Sequence, residues 1–232
     1  MQGAKLNPSL ISALVERWRP ETHTFHLPSG KATITLQDVS YHLGLPIEGY
    51  PITEKAQDNW FLLGRKLLGV DLVDLDGGRE HISWLDQKFS NLSANTSTLI
   101  KEQFANAHIL RVIGGILMPD KSRNKVHLMW LHHLQDFSEA GKFSWGSAML
   151  TYLFRDLCKA IDLGKHAIGG CLLFLQSWAW FRMSFLRPTL QQQTPYVFPL
   201  IRRWSSPLTH VGLPDCQRDF RLLIDKNDEV II

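Results

Sequence analysis

Cysteine is scarce in this chain, and the short signatures that mark many enzymes are missing. Cys158, Cys171 and Cys216 are the only three cysteines in 232 residues. An odd number without C-x-x-C spacing speaks against a disulfide framework and a cysteine zinc site, and for a reducing compartment. No G-x-S-x-G elbow, H-E-x-x-H helix or G-x-x-x-x-G-K-[ST] loop occurs, so nucleophilic hydrolysis, zincin chemistry and phosphate cradling have no visible carrier. Charge of one sign is also in short supply: 25 Lys and Arg against 22 Asp and Glu leave +3, a weak field beside that of a dedicated polyanion binder. The longest apolar stretch, Ile168 to Phe185, contains Gln176, Ser177 and Arg182 and is expected as a core helix with no membrane role. The start, Met1-Gln2-Gly3-Ala4-Lys5, lacks the uninterrupted apolar core of a secretory signal, so an intracellular protein is expected.

What is present is an ordinary globular composition, 44% apolar and 10% aromatic, in a chain long enough to build its own core. Asn7-Pro8 reads as a helix cap and first turn, followed by Leu10, Ile11, Leu14, Val15 and Trp18 at helical spacing. The period then changes to two on either side of Pro28-Ser29-Gly30, predicting a hairpin of Thr22 to Leu27 with Lys31 to Ile34 across a three-residue turn. Thr35-Leu36-Gln37-Asp38 has capping-box spacing, and Gly44 offers a left-handed stop, so a short helix is expected over Leu36 to Leu43. Further helices are expected over Asn59 to Leu68, Ile82 to Phe89, Thr98 to Leu117, Val126 to Phe137, Ser144 to Leu163 with Ser144 as cap, and His166 to Leu186, with Asp71 to Arg79 as loop. The last two are apolar nearly all round, as central helices are. The fold class is therefore mainly α: a single helical domain over 1–232 with a small N-terminal β-hairpin. The hairpin and capped helix lie within 20–46, a helical core spans about 98–187, and the C-terminal segment 188–232 is irregular.

Few residues offer chemistry. His127, His132 and His133 share one expected helix but have no metal-ligand spacing, so neither metal nor cofactor is expected. His23 and His26 lie in the hairpin, where a cross-strand hydrogen bond is their expected role. Gly114-Gly115 and Gly169-Gly170 sit within apolar helical patterns. Glycine costs about 1 kcal/mol there, which suggests that another backbone approaches closely. Trp130, Trp145, Trp178 and Trp180 are read as core, with Trp178 and Trp180 on different faces. Three basic groups remain as candidate phosphate contacts: Arg17 with Arg19, the loop cations Lys121, Arg123 and Lys125, and Arg202-Arg203.

A longer pattern is more specific. Trp18-Arg19-Pro20-Glu21-Thr22-His23-Thr24-Phe25-His26-Leu27-Pro28, Thr33-Ile34-Thr35-Leu36-Gln37-Asp38-Val39 and Leu43-Gly44-Leu45-Pro46-Ile47 closely resemble the plant mobile domain of the MAIN and MAIN-like proteins. So do Gly114-Gly115, Pro119-Asp120-Lys121-Ser122, Phe143 to Ala148 through Trp145, and Tyr152-Leu153-Phe154-Arg155-Asp156-Leu157-Cys158. Ile168-Gly169-Gly170-Cys171 and Leu175-Gln176-Ser177-Trp178-Ala179-Trp180 complete it. The resemblance implies a nuclear plant protein acting in gene expression, transposon silencing and genome or meristem maintenance beside a phosphatase-like partner of the type 7 long form. The aminotransferase-like label attached to some members finds no supporting motif. Lys31 and Ser40-Tyr41-His42 depart from the family pattern, and both changes are expected on an exposed side. The leading expectation is a non-enzymatic interaction domain. Two further readings are a sequence-selective duplex DNA-binding module and an enzyme of unknown reaction inherited from a mobile-element ancestor.

Overall fold

The first helix is started by its own sequence: the Asn7 side chain accepts from the Leu10 amide at 3.0 Å and Pro8 occupies the first turn, giving α1, Pro8–Val15. A computed structural model describes residues 5–53, 59–73, 75–161, 167–189, 198–204 and 212–227. After α1 comes a three-stranded antiparallel sheet in the order β1 (Trp18–Arg19), β2 (Thr24–Leu27), β3 (Gly30–Ala32). The hairpin is present but tighter than its sequence suggests. Leu27 pairs with Gly30, so the turn has two residues, and β3 stops at Ala32, short of Ile34. β1 carries no periodicity of its own; it pairs because Trp18, fully buried, lies opposite Phe25.

The short helix α2, Leu36–Leu43, has the full capping box. Thr35 Oγ1 accepts from the Asp38 amide at 3.1 Å, and Asp38 Oδ2 accepts from the Thr35 amide at 2.9 Å. Gly44 ends it at φ 69°, a conformation that costs glycine nothing. Helices α3 (Trp60–Leu68), α4 (Ile82–Lys88), α5 (Thr98–Val112), α6 (Phe137–Ala140), α7 (Trp145–Ala160), α8 (Leu172–Arg182) and α9 (Gln217–Lys226) follow, with a two-stranded ribbon of β4 (Arg79–His81) and β5 (Lys125–His127).

Several expectations are corrected here. The segment expected as a helix over Val126 to Phe137 is β5 followed by a 3-10 helix, Leu128–Leu134. Leu128, Leu131 and Leu134 are all buried, and their spacing of three satisfies a 3.0-residue turn as well as an α-helical one. The loop expected through Arg79 instead begins β4, whose pairing with β5 joins distant segments. The helix expected through Leu117 is α5 running into a π-helical turn, Ile113–Leu117. Its Gly114 lies under Val126 so closely that a Cβ would overlap that side chain, whereas Gly115 is exposed and meets only Ile82, so the close crossing involves one glycine of the pair. Gly169 and Gly170 lie outside any helix, in a bend leading into α8, and the expected start at His166 lies outside the described residues, as do Asp162 and Leu163. Ser144 occupies the cap position of α7, but its hydroxyl donates to the Ile47 carbonyl at 2.8 Å and does not cap the helix. The C-terminal segment is not irregular throughout: α9 packs on α1, tied by Arg17 to Asp225, Arg221 to Glu16, and Gln217 to Glu16 at 2.8 Å.

The core is organised around α8, which packs on α1, α2 and two 3-10 turns, Ser184–Leu186 and Leu200–Trp204. Trp178 meets Phe25 at 5.3 Å between ring centroids and Trp180 meets Trp204 at 5.0 Å, so the two indoles serve separate walls of the interior. Trp18 joins Phe25 and Phe154 at 4.9 and 5.0 Å. Trp145 is only half-buried and abuts Trp130. Among the described residues, no helix is long and apolar enough to cross a membrane.

Candidate functional site

Several buried polar groups among the described residues tie elements together. Gln176 accepts from the Asn7 amide at 2.7 Å and donates to the Lys5 carbonyl at 3.0 Å, pinning the start of α1 to α8. His42, buried despite the exposed position expected for it, shares a hydrogen bond with Ser177 at 2.8 Å through Nδ1. Arg182 donates to Asp38 at 2.6 Å. Acid, imidazole and hydroxyl thus lie near one another, but the acid is occupied by the helix cap and the guanidinium, and the imidazole is packed edge-on against Phe174 and Phe181. Burial raises the Asp38 pKa, yet the Thr35 amide and Arg182 outweigh it and leave the carboxyl below its ordinary value. Burial also pushes the Cys171 thiol up to about 12, which suppresses the thiolate.

Burial lowers the His42 pKa to about 4, with Asp38 opposing and Arg182 assisting. The folded protein therefore resists a proton that the unfolded chain accepts near pH 6.5. Stability from this group is intact above that pH and lost as pH falls toward 4, by about 3 kcal/mol in all. Denaturant titrations at pH 7 and pH 4 are expected to show this loss, and His42→Gln to shrink the difference between the two.

The hairpin histidines do other work than a cross-strand bond. His23, at φ 50°, stacks on Trp18 and Phe154, while His26 Nε2 is buried without a partner. His127 accepts from the Met129 amide at 3.0 Å and meets Trp60, as His132 does, and His133 lies against Phe143. The three therefore serve a 3-10 cap and an aromatic wall.

The surface differs. Asp120 Oδ1 accepts from the Ser122 and Arg123 amides, both at 2.9 Å, and so shapes the loop from Pro119 to Lys125. Lys125, the first residue of β5, donates to Asp76 at 2.8 Å, holding that carboxyl below its usual range, and Arg123 donates to the Ile168 carbonyl at 3.1 Å. The ribbon brings Arg79 to the same place, its Nε 4.0 Å from Asp120. From α7, Arg155 and Lys159, one turn apart on the helix surface, each stand 3.8 Å from Asp156. Burial raises the Asp156 pKa, with Arg155, Lys159 and Lys121 opposing it. Arg79, Lys125 and Arg155 thus come together in space with Asp120, although they lie far apart in the sequence.

Two clefts open on this face. One, of about 260 Å³, has Arg79, Lys125 and Arg155 on its walls with Asp120 and His127; the other, of about 210 Å³, is lined largely by apolar groups including Ile52, Met129 and Ala148. Met129, Trp130, Tyr152 and Arg155 belong to both. Of the candidate cations, Lys125 lines the first cleft, whereas Lys121 and Arg123 line a separate hollow with Leu6, Ile11 and Leu172, Arg17 is paired with Asp225 between α1 and α9, and Arg202 and Arg203 lie on the 3-10 turn against α2 and α8. Sequence reasoning missed Arg79, which reaches the face only through the non-local ribbon, and treated Arg155 as part of a structural motif. The i, i+4 pair Arg155 and Lys159 was the available signal.

The model of the plant mobile domain matches residues 1–231 of the chain. Similar proteins, all from Arabidopsis thaliana, include the serine/threonine-protein phosphatase 7 long form homolog, 41% identical over 93% of this chain and 17% of that protein. Protein MAINTENANCE OF MERISTEMS is 37% identical over 86% of this chain and 42% of its own length, and Protein MAIN-LIKE 1 is 38% identical over 86% and 40%. The chain therefore spans less than half of each of these relatives. No solved structure matches it. With a family match running almost end to end and relatives well above 30% identity, the chain belongs to the plant mobile domain family.

Proposed function

We propose that this chain is a non-enzymatic interaction domain of the plant nucleus, acting in gene expression, transposon silencing and genome and meristem maintenance beside a phosphatase-like protein. One observation carries the reading: the apolar residues of the family pattern build the interior, while Arg79, Lys125 and Arg155 line one of two adjoining surface clefts. Trp18, Trp178, Trp180, Asp38 and Gly170 are packing and capping elements, and burial holds His42 as the neutral imidazole, packed between Phe174 and Phe181, and Cys171 as the thiol. Recognition is then the work left to the surface. The names of the relatives support the setting, since one is a phosphatase homologue and another is named for meristem maintenance. Affinity capture from plant nuclei with mass spectrometry, with and without nuclease, tests the reading. A nuclease-resistant set containing a phosphatase-like protein is expected; retention that vanishes with nuclease contradicts it.

A second reading, duplex DNA contact, is favoured by the same cationic loop. Phosphate contacts release counterions, so such binding falls steeply with salt. Purified protein that binds no duplex even at low salt ends this alternative, and binding that survives moderate salt unchanged speaks against backbone contacts.

A further inference from the structure

The two clefts form one composite site. Their shared wall of Tyr152 and Arg155 places a cationic pocket beside an apolar one. A ligand that fills both carries an anionic group and, about one residue away, an apolar group. The aromatic rings here offer no platform for a nucleobase: the Arg155 guanidinium covers the Tyr152 ring at 4.2 Å, and Trp130 is 8% exposed with its ring against Trp145. Single-stranded nucleic acid needs such platforms, and a duplex backbone has nothing to place in the apolar cleft. A peptide has both parts. Two guanidiniums and an ammonium on one small pocket suit a tetrahedral dianion, since each guanidinium presents a fork of donors to paired oxygens. Asp76 and Asp156 hold Lys125 and Arg155 from the side, which positions the cations and lowers the ordering needed on binding.

We propose that this composite cleft recognises a phosphorylated serine or threonine in a partner protein, the phosphate held by Arg79, Lys125 and Arg155 and a neighbouring apolar side chain seated beside Ile52, Met129 and Ala148. The proposal rests on the protein-interaction reading above and names the chemistry of its partner.

The test uses the full chain against a degenerate peptide array built around fixed phosphoserine, with serine and glutamate arrays alongside, and inorganic phosphate as competitor against chloride at equal ionic strength. The phosphoserine array is expected to bind about tenfold or more tightly than either other array, with apolar residues selected next to the phosphate and inorganic phosphate competing. Arg79→Gln and Arg155→Met each weaken binding roughly ten- to a hundredfold, the effect of losing a hydrogen bond to a charged group, while Lys31→Ala on β3 changes nothing. Ala148→Leu abolishes the apolar preference yet leaves competition by inorganic phosphate. Circular dichroism and a melting curve confirm each fold, and half-exposed Arg79 gives a variant whose folding does not depend on the α7 packing. Equal binding of serine or glutamate arrays, indifference to Arg79→Gln, or displacement by duplex DNA stronger than by the same concentration of inorganic phosphate overturns the proposal. If the Arg79→Gln protein captures the wild-type set of nuclear partners, the cleft assignment falls while the interaction-domain reading stands.

Discussion

Gly170→Leu lowers the unfolding free energy by about 4 kcal/mol, read in denaturant melts, while Arg123→Ala in the polar loop changes it by about 0.5 or less. Two costs add at position 170. Its backbone sits at φ 82°, a region that costs a side chain about 1–2 kcal/mol. A Cβ there stands 3.0 Å from Leu153 Cδ1 and 3.1 Å from its Cα, so further carbons force α7 outward at about 1–3 kcal/mol more. The Gly170 amide also donates to the Pro119 carbonyl at 2.9 Å, which links the base of the cationic loop to the core. Gly170→Ala separates the terms: it carries the backbone cost with less crowding and is expected to fall between the two. Equal effects of Gly170→Leu and Arg123→Ala contradict the packing of this segment on α7.

Trp178→Ala is expected to cost about 3–5 kcal/mol, the usual range for deleting a buried indole, and Trp178→Phe about 1.5 or less. The ring is 1% exposed and packs on Phe25. Its Nε1 is buried with no hydrogen-bond partner, so the phenylalanine variant loses volume but also removes an unsatisfied donor, and the terms partly offset. A Phe variant as unstable as Ala shows that the indole nitrogen matters after all, through a contact absent from this packing. Neither substitution touches the cationic face, so phosphate competition by the folded fraction stays at wild-type strength.

Local chemistry made the N-terminal third legible. A cap at Thr35 with Asp38, a stop at Gly44 and alternation on both sides of Pro28-Ser29 are each set within a few residues, and the structure has all three. Asn59 and Leu68 bound the expected third helix almost to the residue. What stayed hidden depends on partners far along the chain. Arg79-Glu80-His81 has no β-branched residue to mark a strand and becomes one only opposite Lys125-Val126-His127. That single pairing also displaces the expected helix over Val126 and delivers Arg79 to the clefts. Gly114 was legible as a close approach but not as a π turn, because the approaching group is the Val126 strand itself. The cationic cleft was invisible for a related reason: Arg79, Lys125 and Arg155 lie far apart in the sequence and meet only in the fold.

If the apolar residues of the family pattern build the interior and the cationic cleft does the recognising, removing the cleft's guanidiniums abolishes capture without unfolding the protein. Wild-type protein and an Arg79→Gln, Arg155→Met double variant are each used to capture proteins from nuclease-treated plant nuclei, with melting temperatures measured on the same preparations. The variant is expected to melt within about 3 °C of wild type, as surface changes of under about 1 kcal/mol allow, and to lose its partners. Undiminished capture by that well-folded variant contradicts it.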